Sequence, residues 1–145
     1  MSDTGARTSR KAVGDTGEAA ARAFLTRRGW SIVATNVRFG PRSGLKGELD
    51  IVARDGQTLA FVEVKTRRGD PRFVMPAENV TPAKQRQIAR LALAYANREG
   101  FLAGDAEETL FRFDVVTVVL AADGATVRKI ELREGAFLAP DGVAG

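Results

Sequence analysis

The stretch GELDIVARDGQTLAFVEVKTRR, residues 47–68, decides how this chain folds. It contains two runs rich in β-branched and apolar residues, 47–54 and 57–67, on either side of the dipeptide Asp55-Gly56. An Asp-Gly pair between two such runs is a strong local signal for a tight turn between antiparallel strands. The stretch therefore predicts a β-hairpin.

The charged residues of this hairpin are spaced so that they share one face. A symmetric turn on the Asp-Gly dipeptide pairs residues whose numbers sum to 111, so Asp50 lies opposite Phe61 and Glu48 opposite Glu63. Because side chains alternate along a strand, Glu48, Asp50, Glu63 and Lys65 then point to the same side, with Asp50 diagonal to Glu63. A three-residue turn would separate the two sets onto opposite faces.

Three carboxylates on one face repel each other unless a cation lies among them. Mg²⁺ takes one or two carboxylates together with water and phosphate oxygens, and this cluster offers such ligands. Lys65 is placed to orient or deprotonate a water molecule, as metal-assisted phosphodiester hydrolysis requires. The alternative is an exposed strand face on which Lys65 pairs with Glu48 or Glu63 without any catalytic role.

Composition narrows the chemistry that this chain can perform. The chain has 145 residues, of which 44% are apolar, and it contains neither cysteine nor histidine. That length suits one domain with its own core. Zinc fingers, thiol nucleophiles and Ser-His-Asp triads are excluded. Catalysis would depend on carboxylates, lysine, arginine, hydroxyl groups or an oxygen-ligated metal.

The charge is unevenly distributed along the chain. The net charge is +4, but residues 1–72 carry 14 basic and 8 acidic side chains, whereas the remainder carries 8 and 10. An arginine-rich first half favours a polyanionic partner such as nucleic acid. The N-terminal region lacks the apolar segment of a secretory signal, and no apolar run is long enough to cross a bilayer. A cytoplasmic protein without membrane contact is expected.

The order of elements predicted along the chain is α-β-β-β-α-β-β. Residues 1–14 are expected to form a disordered basic arm, followed by a helix with Asp15 as its N-cap and Gly29 at its end. Residues 15–134 would form a single domain, and 135–145 a flexible tail. The fold class is α/β, a small mixed central sheet flanked by helices.

The second half of the chain supplies the remaining elements. A helix is predicted to begin at Thr81-Pro82, to end before Gly100 and to bury an apolar stripe formed by Ile88, Leu91, Ala92 and Tyr95. The run 110–120 is dense in β-branched residues and predicts a buried strand. Residues 125–134 predict a last strand at the edge of the sheet.

The pattern Asp50…Glu63-x-Lys65 resembles the active site of the PD-(D/E)xK nuclease superfamily. The longer string around it resembles the YraN family, a group assigned to that nuclease-like fold. The resemblance extends over residues 14–120 and includes GEAAARAFLTRRGWSIVATNVR at 17–38, TPAKQRQIARLALAYA at 81–96 and RFDVVTV at 112–118. It implies a restriction-endonuclease-like fold. The superfamily's name gives a proline directly before the first acidic residue, and this chain has Leu49 at that position.

The resemblance also implies roles for individual residues. Asp50 and Glu63 would bind the metal, with the Val64 carbonyl as a further ligand, and Lys65 would be the catalytic lysine. Glu18 would complete the site, since related Holliday-junction resolvases place a glutamate of the first helix there. Glu18 could equally be the last residue of a helix-capping box. Glu48 is not among the implied ligands and would only tune the electrostatic field.

Several basic and polar residues near these elements are candidates for phosphate contacts: Arg38, Arg42, Lys46, Arg67, Arg68, Lys84 and Gln85. The function expected is a Mg²⁺- or Mn²⁺-dependent endonuclease that hydrolyses DNA, on branched or other repair and recombination intermediates. The alternatives are a non-catalytic nucleic-acid-binding module and a protein-interaction domain. A homodimer and a repair or recombination protein as partner are also expected.

Overall fold

A computed structural model of the chain describes residues 9–70, 72, 80–102 and 109–139. It contains two helices, α1 (Arg10–Arg27) and α2 (Pro82–Arg98), and a short 3₁₀ turn at Pro41–Ser43. The strands are β1 (Ser31–Val37), β2 (Leu49–Asp55), β3 (Thr58–Arg68), β4 (Leu110–Leu120) and β5 (Val127–Phe137). The predicted order α-β-β-β-α-β-β and the mixed α/β class are confirmed.

All five strands form one sheet in the order β1-β2-β3-β4-β5. The first three strands pair antiparallel, β3 and β4 run parallel, and β5 returns antiparallel at the edge. Because parallel neighbours need a crossover, α2 lies between β3 and β4 in sequence and connects them. This arrangement is consistent with a small restriction-endonuclease-like fold.

The register of the hairpin differs from the predicted one by two residues. The strands pair Ile51 with Val62 and Asp55 with Thr58, so the numbers of paired residues sum to 113 rather than 111. The two-residue loop is therefore Gly56-Gln57. Gly56 has a φ of 62°, and a positive φ is what a two-residue hairpin turn requires at its first position. Since both loops contain two residues, the predicted parity of the faces is retained. The predicted pairing of Asp50 with Phe61 is wrong.

The sheet separates two apolar cores. Leu25 of α1 packs with Ile51, Val62 and Val116 on one face. On the other face, Phe61 and Val115 pack against the predicted stripe of α2, which is buried throughout. Each helix therefore covers one face of the sheet, and this is what fixes the position of the α1 side chains relative to the hairpin.

The first helix begins earlier than predicted. Ser9, not Asp15, is its N-cap and accepts a hydrogen bond from the backbone N–H of Ala12. Residues 10–14, assigned above to the disordered arm, are helical; residues 1–8 lie outside the described ranges. Asp15 instead forms an ion pair with Lys11 one turn earlier, at 2.8 Å. The capping-box interpretation of Glu18 is therefore wrong.

The remaining boundaries agree closely with the predictions. Thr81 caps α2 by accepting from the Lys84 backbone N–H, and β4 occupies 110–120 as predicted. The last strand extends to Phe137, into the segment assigned to the tail, while 140–145 lie outside the described residues. Within the described part of the chain, neither helix is long and apolar enough to cross a membrane.

Candidate metal centre

The strands β2 and β3 separate next to Asp50. The last pair of their ladder toward this end is Ile51 with Val62, and the same register continued by one step would place Asp50 beside Glu63. In place of a further backbone pair, an oxygen of the Asp50 carboxylate accepts a hydrogen bond from the backbone N–H of Val64 at 2.9 Å. The carboxylate therefore lies between the two strands, where both helices can approach it.

Three carboxylates converge at this point. Glu18 of α1, Glu48 just before β2 and Asp50 each offer an oxygen, and these oxygens lie within 4.8 Å of one another. All three side chains are partly buried. Glu18 reaches the cluster because Gly17 allows α1 to pack against β3: a Cβ atom on Gly17 would lie 1.9 Å from the Thr66 hydroxyl oxygen.

Two side chains of the β1 region hold the glutamates in place. The Asn36 side-chain amide donates one hydrogen bond to Glu18 at 2.8 Å and another to Glu48 at 3.0 Å. Arg38 donates from Nε to the second oxygen of Glu48 at 2.6 Å. Arg38 was predicted to contact phosphate; the structure places it on a carboxylate of the cluster.

Glu63 joins the cluster from β3 and is only 7% exposed. Its carboxyl group lies next to that of Asp50, and Lys84 Nζ of α2 lies 3.7 Å from Glu63 Oε2. Burial first, and then the negative charge and hydrogen bond of Glu63, raise the pKa of Asp50 to about 8. At neutral pH, Asp50 therefore holds a proton in the absence of a cation.

The pKa of Glu18 is also raised above its usual value. Burial is the largest cause, and the nearby charges of Asp50 and Glu48 add to it, against the opposing effect of the Asn36 hydrogen bond. Mutual repulsion therefore acts across α1, the loop before β2 and the hairpin. A cation placed among these groups would relieve it.

Lys65 follows Glu63 by two residues on the same strand and is aligned with Thr117 of the parallel neighbour β4. Because side chains alternate along a strand, Glu63 and Lys65 share the face of β3 that carries Phe61, the α2 face. Glu48 was predicted to share this face, but Leu49 next to it packs in the α2 core and Glu48 lies with Glu18 of α1. Val64 meets the cluster through its N–H; its carbonyl stays a predicted ligand. The lysine in contact with Glu63 is Lys84, which the sequence had assigned to phosphate binding.

Two basic grooves border the carboxylates. The α1 groove, of about 540 Å³, brings Arg10, Arg67 and Arg68 together with Glu18. The α2 groove, of about 500 Å³, is lined by Lys46, Lys84 and Arg90 together with apolar residues of α2 and the loop before β2. Four of the predicted phosphate contacts thus line grooves next to the cluster: Lys46, Arg67, Arg68 and Lys84.

The other candidates lie elsewhere. Arg42 is exposed in the 3₁₀ turn, and Gln85 donates to the backbone carbonyl of Val80 at 2.8 Å. The sequence prediction missed Asn36, Arg10 and Arg90. Arg10 was assigned to the disordered arm. For Asn36, the only signal was an asparagine in a β-rich segment, and asparagine tolerates the left-handed backbone conformation better than most residues.

The chemistry of the donor set determines which metals fit. The groups that converge are carboxylates, with oxygen as the only ligand atom, and the chain has no cysteine or histidine to add sulfur or nitrogen. Oxygen-only sites suit hard divalent cations such as Mg²⁺, Mn²⁺ or Ca²⁺ rather than zinc or copper. The residues present therefore fit a divalent cation of this class.

Comparison with known proteins agrees with the resemblance. The model of "Uncharacterised protein family UPF0102" matches residues 17–118, which include the second half of α1, the hairpin, all of α2 and most of β4. "UPF0102 protein STH1475" of Symbiobacterium thermophilum is 53% identical over 112 residues, 77% of this chain and 86% of that protein. "UPF0102 protein GSU0650" of Geobacter sulfurreducens is 44% identical over 121 residues, 83% of this chain and 86% of that protein. The chain thus belongs to the UPF0102, or YraN, family.

Proposed function

We propose that this protein is a metal-dependent nuclease that hydrolyses phosphodiester bonds of DNA, with branched repair and recombination intermediates as its substrates. One observation carries the proposal: Glu18, Glu48 and Asp50 bring carboxylate oxygens within 4.8 Å of one another. Glu63 adds a fourth carboxyl group next to Asp50. Grouping four acidic side chains costs folding free energy, and cation binding is the use that offsets this cost.

In this proposal, Asp50, Glu63 and Glu18 hold Mg²⁺ or Mn²⁺, with Glu48 as a further ligand and the Val64 carbonyl as another. Such a cation, when bound, polarises the phosphate and lowers the pKa of its coordinated water. The chain's own contribution is to exclude bulk water from Glu63 and to fix Asp50 between the strands. Both follow from the burial of Glu63 and the hydrogen bond from Val64.

Two lysines are available for the remaining chemistry. Lys65, on the same strand face as Glu63, would orient the attacking water or accept its proton. Lys84, 3.7 Å from Glu63, would stabilise negative charge on the phosphate from the α2 side. Lys65 is on β3 and Lys84 is on α2, so the two lysines approach the site from different elements and can have different roles.

The choice of a polyanionic substrate rests on the two grooves. Arg10, Arg67 and Arg68 on the α1 side and Lys46 and Lys84 on the α2 side place positive charge next to the carboxylates on both flanks. Phosphates on either side of a scissile bond would find these charges. A small uncharged substrate would have no use for them.

Cleavage of defined DNA substrates tests the proposal. Branched, nicked and single-stranded DNA would be incubated with the purified protein and Mg²⁺ or Mn²⁺, and with EDTA as the metal-free control. We expect cleavage that Asp50→Asn and Lys65→Met abolish, whereas Glu99→Gln and Arg98→Met, exposed residues that pair with each other at the end of α2, leave it unchanged. Cleavage undiminished in Asp50→Asn, or absent on every substrate, would contradict the proposal.

The same substrates distinguish the non-catalytic alternative. A nucleic-acid-binding module would bind DNA in EDTA and would retain that binding in Asp50→Asn, without any cleavage in Mg²⁺. A protein-interaction domain would bind none of the substrates even at low salt. The three functions therefore give three different outcomes in one set of measurements.

A further inference from the structure

Asn36 differs in its backbone from the other described residues that are not glycine. Apart from glycines, it is the one described residue with a positive φ, 49°. It lies near the end of β1, after an irregularity in the pairing with β2 between Ile32 and Ala34. The adjacent pairs, Thr35 with Ile51 and Val37 with Leu49, put Asn36 alongside Asp50. Asparagine accepts the left-handed conformation more readily than most residues, but the conformation still has to be held by its surroundings.

The side chain of Asn36 connects three separate elements. Asn36 itself is in β1. Its side-chain amide nitrogen donates one hydrogen bond to Glu18 of α1 at 2.8 Å and another to Glu48, which precedes β2, at 3.0 Å. In each glutamate it contacts Oε1. The two carboxylates are thus held at a defined spacing. Oε2 of Glu48 accepts a hydrogen bond from Arg38 at 2.6 Å, so Arg38 and Asn36 hold this glutamate together.

The neutrality of this donor matters for a site that binds a cation. A lysine at the same place would hold the glutamates by cancelling their charge, and it would then compete with a metal ion for them. An amide supplies two hydrogen bonds without adding positive charge to that which Arg38 already places on Glu48. Metal sites commonly use such hydrogen bonds from outside the ligand set to orient the ligands.

We infer that Asn36 is a positioning residue, which holds Glu18 and Glu48 at the spacing required for a divalent cation. This inference rests on the proposed function, because it assumes that the cluster binds such a cation. A purely structural role is the competing explanation: the same two hydrogen bonds would then serve only to attach α1 to the sheet. The two explanations differ in what a change at Asn36 does to metal affinity.

Two substitutions separate them. Asn36→Gly removes the amide but keeps the backbone, because glycine adopts a φ of 49° without penalty. Asn36→Asp keeps the size and the backbone tolerance but replaces the donors by a further carboxylate. Asn97→Asp, the same chemical change at an exposed position of α2, is the matched control.

The measurements are Mn²⁺ affinity, by calorimetry or electron paramagnetic resonance, and thermal unfolding in EDTA and in Mn²⁺. We expect Asn36→Gly to weaken Mn²⁺ binding by about 10- to 100-fold while the protein stays folded. Asn36→Asp should unfold at a lower temperature than the wild type in EDTA and gain more than the wild type from Mn²⁺, because the added carboxylate repels its neighbours until a cation is present. Asn97→Asp should leave both quantities unchanged.

A purely structural role gives the opposite result: lower stability in both media for either Asn36 variant, with Mn²⁺ affinity equal to that of the wild type. That result would overturn the inference but not the proposed function. If the wild type itself bound no Mn²⁺, the proposed metal site would fail, and the inference with it. If Asn36→Gly did not fold, the unfolding temperatures of Asn36→Asp in EDTA and in Mn²⁺ would decide between the two explanations.

Discussion

Asp50 holds a proton at neutral pH because it lies between two strands, next to another carboxyl group. Its carboxylate receives one hydrogen bond from Val64, but burial and the charge of Glu63 outweigh it and raise the pKa to about 8. In the unfolded chain the same group titrates near pH 4. Between these two values the folded protein binds a proton that the unfolded chain has released.

This difference predicts how stability changes with pH. Without divalent cations, the free energy of unfolding should fall as pH rises from about 4 to about 8, because the unfolded state binds fewer protons in that range. Asp50→Asn keeps an acceptor for Val64 but cannot ionise, so its unfolding temperature should change less from pH 5 to pH 9 and exceed that of the wild type at pH 9. Thermal unfolding in EDTA measures this, with Asp15→Asn as the control. Parallel profiles for the wild type and Asp50→Asn would contradict the pKa shift.

Prediction from sequence found some residues of the site and missed others. Asp50, Glu63 and Lys65 were found because strand alternation places them on one face, and this periodicity can be read directly. Asn36 was not found, since its role depends on a left-handed backbone and on two glutamates from other elements. Lys84 was given to phosphate because the sequence does not show that its helix passes next to Glu63.

At the scale of elements, the contact of α1 with β3 determines whether Glu18 reaches the cluster. Gly17 lies so close to Thr66 that a Cβ atom would overlap its side chain, at 1.9 Å from the hydroxyl oxygen and 2.8 Å from the methyl carbon. Gly14, one turn earlier in the same helix, has no atom within 4 Å of a Cβ built there. The two glycines therefore offer a matched comparison.

Gly17→Ala should lower stability by roughly 1–3 kcal/mol, because α1 must move away from β3, and it should weaken Mn²⁺ binding by displacing Glu18. Gly14→Ala should instead raise stability by about 0.5–1 kcal/mol, the usual effect of replacing a helix glycine that has free space, and leave metal affinity unchanged. Chemical denaturation and Mn²⁺ titration of both variants measure this. Equal metal affinity in the two variants would show that the close packing of α1 does not position Glu18.

Element boundaries were predictable where a local signal was unambiguous. Thr81-Pro82 fixed the start of α2, and β-branched density fixed β4. The start of α1 was misjudged because Asp15 and Glu18 have capping-box spacing, while the residue that caps the helix is Ser9. The hairpin register was displaced by two because the turn uses Gly56-Gln57, a shift that leaves the alternation of faces intact.

At the scale of the whole molecule, a buried ion-pair network and the carboxylate cluster lie at different ends of the sheet. The network around Arg112 lies at the end of the hairpin that carries the turn, away from the carboxylate cluster. Arg112 binds the fully buried Asp114 at 2.8 Å, contacts Asp55 at 3.1 Å and stacks over the ring of Trp30. This network joins β2 to β4 without including any residue of the cluster. Trp30 itself is buried in the core.

The distribution of charge predicts how DNA binding depends on salt. Arg68 lines the α1 groove beside Glu18 and is exposed, whereas Arg86 is exposed on α2 outside both grooves. Arg68→Ala should weaken binding to DNA of any sequence and reduce the slope of log affinity against log salt by about 1, since one phosphate contact is lost. Arg86→Ala should change neither. Binding isotherms at several salt concentrations measure this, and identical slopes for Arg68→Ala and the wild type would exclude Arg68 as a phosphate contact.

The proposed function and the role of Asn36 both require that the four carboxylates bind a divalent cation. Diffraction from crystals grown with Mn²⁺, recorded at a wavelength where manganese scatters anomalously, tests this directly. We predict one anomalous peak within ligand distance of Asp50 and of at least two of Glu18, Glu48 and Glu63, and no such peak in crystals of Asp50→Asn. A map of the wild type without a peak at this cluster, with the carboxyl groups of Asp50 and Glu63 still next to each other, would contradict the claim.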